Sequence, residues 1–417
     1  MIVVSKIEYV DKILSPSTKS KYPTRIPSEG LRGLGISGNS NVSSWKFKRQ
    51  FHAQTVETLG FLKESVGRIQ IIFNEMEEYW RSGFEDNNIT DFSEWSHSLA
   101  MDIIFDTIAG KKTWSTASYF LTISHGPKSV KLPNFDEEII GESSELTKLF
   151  AMHLKAIDFV TIYPKIVRNY IPSFRATQME FLEAIELLYR KLDSLIRERR
   201  KEIENTPTDE NLKYDMLTLL ITANTDRSIS DIKDVKKEFT NPLTDEEIRE
   251  IIIEALAGGV DTTANVFNFT IYYLARYPEV KDRLCQEIDD LFGQNQNRSL
   301  TYDDLSSLNY CEAVIKEASR VTTPVPFISR LSSEPDKIEN MEWGANTGFL
   351  IFISGVHLNN NYWEEPEKFN ADRFVSTDEQ KEQNGKMFRN WDIELADKNS
   401  PLEFVNSSVF RSAKNLM

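Results

Sequence analysis

The stretch from Thr244 to Pro278 constrains this chain more than any other. Thr244 and Glu247 stand in the T-x-x-E spacing of a capping box, each able to satisfy a backbone donor of the first helical turn. Helical periodicity then runs unbroken to Tyr277, where Pro278 stops it and opens the next helix. A helix of about 33 residues at 1.5 Å per residue is roughly 50 Å long, enough to cross a whole domain. The rest of the chain must pack around it. Periodicity predicts further helices at Thr58 to Arg81, Ser93 to Ala109, Glu145 to Tyr163, Arg175 to Glu204 and Tyr214 to Ala223, then at Pro278 to Leu291 and Leu308 to Arg320. Met1 to Val10 reads as a buried strand running into a helix, Asn224 to Pro242 as a surface loop, and Thr347 to Ser354 as one of several short β-like runs. From Ser376 onward the chain is polar and irregular, and no repeat is present. The expected fold class is mainly α with a small β portion.

Composition excludes several functions. The 417 residues carry 64 Asp+Glu against 49 Lys+Arg, a formal net charge of −15. Such a chain has no excess of positive charge with which to release counterions, so no nucleic-acid partner is expected. Cys285 and Cys311 are the only cysteines, which rules out a disulfide scaffold and C-x-x-C zinc and points to a reducing, intracellular setting. The longest apolar runs, such as Gly348 to Val356, fall short of the ~20 residues of a spanning helix. The chain as given reads as soluble and cytoplasmic. Opening in the middle of an element, it leaves room for an anchor upstream.

Four motifs could carry chemistry. The long helix contains Ala257-Gly258-Gly259-Val260-Asp261-Thr262-Thr263. Two glycines inside a helix cost about 1 kcal/mol each relative to alanine, so they need a reason. Close approach of a flat ligand is one, and a helix crossing through small residues is another. The Thr262 hydroxyl lies i+4 from Gly258 and could bond its carbonyl, and Asp261 beside it makes a plausible proton relay. Glu317 and Arg320 share a helix face, although Glu246 and Arg249 have the same spacing and an exposed pair contributes only ~0.2–0.5 kcal/mol. Phe369-Asn370-Ala371-Asp372-Arg373-Phe374 sets an arginine between aromatics, which a loop packed on the core would also explain. Trp45 and Arg49, i and i+4, suit an anionic group beside an aromatic, or an ordinary cation–π pair.

Taken in chain order, Trp45/Arg49, then Gly259 to Thr263, then Glu317/Arg320, then Phe369 to Phe374, with His357, Tyr362-Trp363 and Pro366 just ahead of the last, the chain resembles the cytochrome P-450 family over nearly its whole length. The resemblance implies one P-450-like domain over 1–417 and a haem held against the long helix at Gly258 and Gly259. It implies that Trp45 and Arg49 meet a haem propionate, that Arg330 sits near the haem edge, and that Asp261 and Thr262 deliver protons to dioxygen. Glu317, Arg320 and Arg373 become a buried charge network. The implied activity is haem-dependent monooxygenation of an apolar small-molecule substrate, with electrons from a reductase docking on a basic surface; Lys46 and Lys48 are candidates. Relatives are often anchored to the endoplasmic reticulum. Here Phe150, Leu154 and Ile157 form an apolar stripe open to a peripheral membrane contact or to the core.

One element of the family pattern is broken. After Phe404, Ser407 stands for the expected glycine, Val409 for an arginine, and Arg411 for the thiolate cysteine that ligates iron. Arginine cannot deprotonate in a protein and is no metal ligand. Residues 375–417 therefore read as a degenerate or truncated cysteine-loop region, with Ala413 to Met417 resembling the start of the helix after it, and the family's entry strands are expected to be missing at the front. Two explanations stand side by side: an incomplete or mis-spliced reading of an active monooxygenase, or a degenerate relative acting as a binding protein.

Overall fold

The computed structural model describes residues 1–14, 21–22, 35–36, 39, 41, 43–49, 58–83, 90–123, 137–223, 225–227, 242–295, 298–338 and 340–375, and the backbone alone of 403–406 and 411–414. In chain order the helices are α1 (Ile7–Leu14), α2 (Leu59–Gly83), α3 (Phe92–Ala109), α4 (Ser115–Ile123), α5 (Glu137–Ile162), α6 (Lys165–Tyr170), α7 (Pro172–Asn205), α8 (Met216–Thr222), α9 (Asp245–Arg276), α10 (Pro278–Phe292), α11 (Asn309–Val321) and α12 (Ile353–His357). A further helical stretch spans 43–49. The strands are β1 (Ile2–Val4), β2 (Phe327–Leu331), β3 (Asp336–Ile338), β4 (Met341–Trp343), β5 (Gly348–Phe352), β6 (Glu403–Asn406) and β7 (Arg411–Lys414).

The axis of the molecule is α9, 32 residues long. Its capping box is formed on both sides: Glu247 N donates to Thr244 Oγ1 at 3.2 Å, and Thr244 N donates to the Glu247 carboxylate at 3.1 Å. Asp245, Glu246 and Glu247 place negative charge at the positive end of the helix dipole. The helix packs most extensively against α3. That helix starts at Asp91, whose carboxylate accepts from Ser93 N at 2.9 Å, and stops at Gly110, where φ is 58°. A Cβ at Gly110 would sit 2.5 Å from the Asp215 carboxylate, so glycine is needed there for space as well as conformation. Arg199 from α7 closes this corner. It donates to Ala109 O at 2.8 Å and to Thr218 Oγ1 at 2.6 Å and is ion-paired with Asp215, which in turn caps α8.

Two large apolar clusters flank α9. One joins it to α3, α5, α7 and α8; the other joins it to α2, α3, α4, α10 and α11. A third, smaller cluster lies under the sheet β1-β5-β2, in which β1 runs parallel and β2 antiparallel to β5. The predicted helices are all present, with α5 starting earlier than its periodicity suggested, at Glu137. Of the expected loop from Asn224 to Pro242, residues 224 and 228–241 lie outside the described residues. One expectation is corrected. Residues 411–414 do not begin a helix but form β7, paired antiparallel with β6 in the register Phe404↔Ala413 and Asn406↔Arg411. Phe404-Val405 favours extended backbone and Asn406-Ser407-Ser408 is turn-forming, and these outweigh the weak helical preference of the end. Residues 415–417 lie outside the described residues.

Candidate functional site

The two glycines of α9 have different surroundings. A Cβ on Gly259 would come 3.0 Å from Ile104 of α3, so this glycine serves the helix crossing. A Cβ on Gly258 would meet nothing within 4 Å, so this glycine borders open space in mid-helix. Thr262 Oγ1 donates to Gly258 O at 2.6 Å, which adds a side-chain bond to that carbonyl and leaves the hydroxyl's lone pairs free to accept. The Asp261 carboxyl is raised from its ordinary range, chiefly by burial; His97 lowers it and Asp158 raises it further. His97 Nε2 stands 3.7 Å from Asp261 Oδ1. Burial that favours the protonated carboxyl equips Asp261 to hold and release a proton beside the open turn.

Glu317, Arg320 and Arg373 come together beneath the core. Glu317 is 0% and Arg320 2% exposed. Arg320 Nε and Nη2 bond the two Glu317 oxygens at 2.7 and 2.8 Å, Arg373 Nε lies 3.4 Å from the same carboxylate, and Asn370 N donates to it at 2.9 Å. The remaining Arg320 protons reach His357 O at 2.8 Å and Pro366 O at 2.7 Å, and Trp363 stacks 5.0 Å from its guanidinium. The other candidates stand on separate elements. Trp45 is half-buried and Arg49 exposed on the 43–49 helix. Arg330 lies on β2 opposite Phe349, with Nη1 donating to Ser329 O at 2.8 Å.

One expectation changes and one open alternative is decided. Lys48 is not a docking lysine, since it is 3% exposed and pairs with Glu247 at 2.8 Å at the start of α9. Phe150 of the apolar stripe is 2% exposed and belongs to the core, with Leu154 packed against it, on a helix that contacts α7 and α4. His97 escaped sequence reasoning. Its only signal was scarcity, as one of five histidines in the chain.

A haem of this family's kind, if bound by this chain, would need a cysteine thiolate among the residues that hold it. Neither cysteine fits. Burial pushes the Cys311 thiol up to about 12, and burial also raises Cys285. Cys285 stands on α10 and Cys311 on α11, on helices other than the one that carries the Gly258 turn. Arg411 stands in β7 opposite Asn406. The described residues thus place an acid and an alcohol beside open space at this turn, with both cysteines on other helices.

The sequence profile of the family described as cytochrome P450 matches residues 1–389. This chain belongs to that family, which in general carries haem and performs monooxygenation. It is 29% identical over 290 residues to cytochrome P450 4d2 of Drosophila melanogaster, covering 66% of this chain and 50% of the fly protein. It is 31% identical over 196 residues to human cytochrome P450 4V2, covering 47% and 37% of the two chains. The chain spans half or less of the length of these curated relatives. Among solved structures, the haem domain of a cytochrome P450DA mutant superposes with a TM-score of 0.74 over 99% of this chain and 86% of that one, at 15% identity, which speaks to the fold.

Proposed function

We propose that this protein takes part in haem-dependent monooxygenation of an apolar organic substrate, with 1–417 acting as one domain whose residues supply the oxygen-side apparatus. The observation that carries the reading is the turn at Gly258: a helix carbonyl bonded by Thr262, an acid raised by burial beside it, and open space next to both. Haem, when bound, supplies oxygen activation. The chain's own part is to hold a proton at Asp261, offer it at the Thr262 hydroxyl, and keep the surrounding core dry with the apolar faces of α3, α5 and α9. Trp45, Arg49 and Arg330 are the cationic and aromatic groups suited to propionates. Neither Cys285 nor Cys311 stands on the helix that carries this turn.

Electron delivery by a reductase would use the exposed Lys46 rather than Lys48. No helix among the described residues is long and apolar enough to cross a membrane. A peripheral membrane contact is better supported around α6, where Ile162, Ile166, Tyr170 and Ile171 are exposed together, than at the buried Phe150 stripe.

The test is haem content and the reduced carbon-monoxide spectrum of the 417-residue chain beside its Arg411→Cys variant. The expected result is haem bound by both, with a thiolate signature only in the variant. A thiolate signature in the unaltered chain would mean that Cys285 or Cys311 is the ligand after all. Absence of haem from both would sink the monooxygenase reading and favour a binding protein that keeps the fold.

A further inference from the structure

A second polar row runs along α9 beside the acid–alcohol turn. Asp261, Asn265 and Asn268 are spaced i, i+4, i+7 and so share one face. Its partner is α3: Ser96 Oγ bonds Asn268 Oδ1 at 2.7 Å, and His97 Nε2 lies 3.7 Å from Asp261. Asn265 is 1% and Asn268 0% exposed, yet Asn268 Nδ2 is a buried donor without an acceptor and Asn265 Oδ1 a buried acceptor without a donor. Two such atoms one turn apart, each lacking the opposite half of a hydrogen bond, are what a buried water satisfies by accepting from one and donating to the other.

At the mouth of this seam the His97 side chain is 31% exposed. Its Nδ1 lies 2.9 Å from Ser93 O. A carbonyl can only accept, so Nδ1 carries the hydrogen and Nε2, on the Asp261 side, is the nitrogen that gains and loses a proton. The charged groups facing Asp261 are His97 from α3 and Asp158 from α5, one attracting the carboxylate and the other repelling it.

We propose that His97 is the solvent-side proton donor to Asp261, and that a water held by Asn265 and Asn268 keeps the seam behind them polar. The proposal rests on the reading of Asp261 as the acid of the site. Protonated Nε2 gives its proton to Asp261 Oδ1 after a small rotation brings the pair to hydrogen-bond length, and neutral His97 then takes a new proton from solvent. No other bond changes.

The first test needs no haem. In NMR titrations of the chain, His97→Gln should raise the proton affinity of Asp261, which His97 now lowers, by at least about fivefold, the Coulomb interaction of unit charges at that separation even in bulk water. The Asn268 side-chain amide of the unaltered chain should show a water cross-peak. An unmoved Asp261 titration overturns the donor role, and a dry Asn268 overturns the water. In the haem-loaded protein, His97→Gln should slow oxygen-driven turnover, enlarge its solvent deuterium effect and respond to added imidazole; an unchanged isotope effect counts against the proposal. A chain that passes the NMR test but binds no haem keeps the seam and loses the function assigned above.

Discussion

Glu317 shows how much can rest on one carboxylate. With Arg320 and Arg373 beside it and no exposure to water, it is the only negative charge within ion-pair distance of both guanidinium groups among the described residues. Glu317→Ala leaves Arg320 buried and unpaired, and should cost about 3–5 kcal/mol, read as a fall in the urea midpoint. Lys368→Ala breaks the exposed pair with Glu365, 62% and 66% exposed, and should cost less than about 1 kcal/mol. The comparison separates a buried network from a surface pair of the same i, i+3 spacing. The spacing itself was readable in the sequence because it is local. What makes the network buried was not, since the partners at His357, Pro366 and Asn370 are backbone groups that no side-chain pattern encodes. The same holds for His97, which reaches Asp261 only through the packing of two distant helices.

At the scale of elements, α9 was readable almost to its ends because caps and a proline mark both of them. Helices α4 and α6, of 9 and 6 residues, are too short for periodicity to register and were missed. The paired glycines left two explanations open: Gly259 takes the helix crossing, and Gly258 borders open space. This yields a prediction with opposite signs one residue apart. Gly258→Ala fills open space and gains helix propensity, so it should stabilise the haem-free chain by about 0.5–1 kcal/mol. Gly259→Leu drives a side chain into Ile104 at the α3 crossing and should destabilise by about 1–3 kcal/mol. Denaturant midpoints of the two variants check the pair, and equal effects would mean that both glycines face the same surroundings.

Across the whole molecule, the folded chain hides one group that the unfolded chain exposes to protons. His153 is 2% exposed, neither ring nitrogen has a partner among the described residues, and burial lowers its pKa to about 4 from 6.5. Below pH 6.5 the unfolded state takes up a proton that the folded state refuses, so stability falls as pH drops and the loss levels off below about 4. The contribution should be about 2 kcal/mol between pH 7 and pH 5. His153→Leu should remove that part of the acid slope, and urea unfolding of both proteins at the two pH values measures it. Other carboxylates keep their own slopes in both proteins and cancel in the difference. The sheet has a consequence in time. Ile2 pairs with Phe349 and Val4 with Ile351, so β1 leaves the ribosome long before β5 exists. At ~5–20 residues per second it waits on the order of tens of seconds, with its backbone groups unpaired and its apolar side chains uncovered. During synthesis, this short strand stays without its sheet partner until β5 has been made.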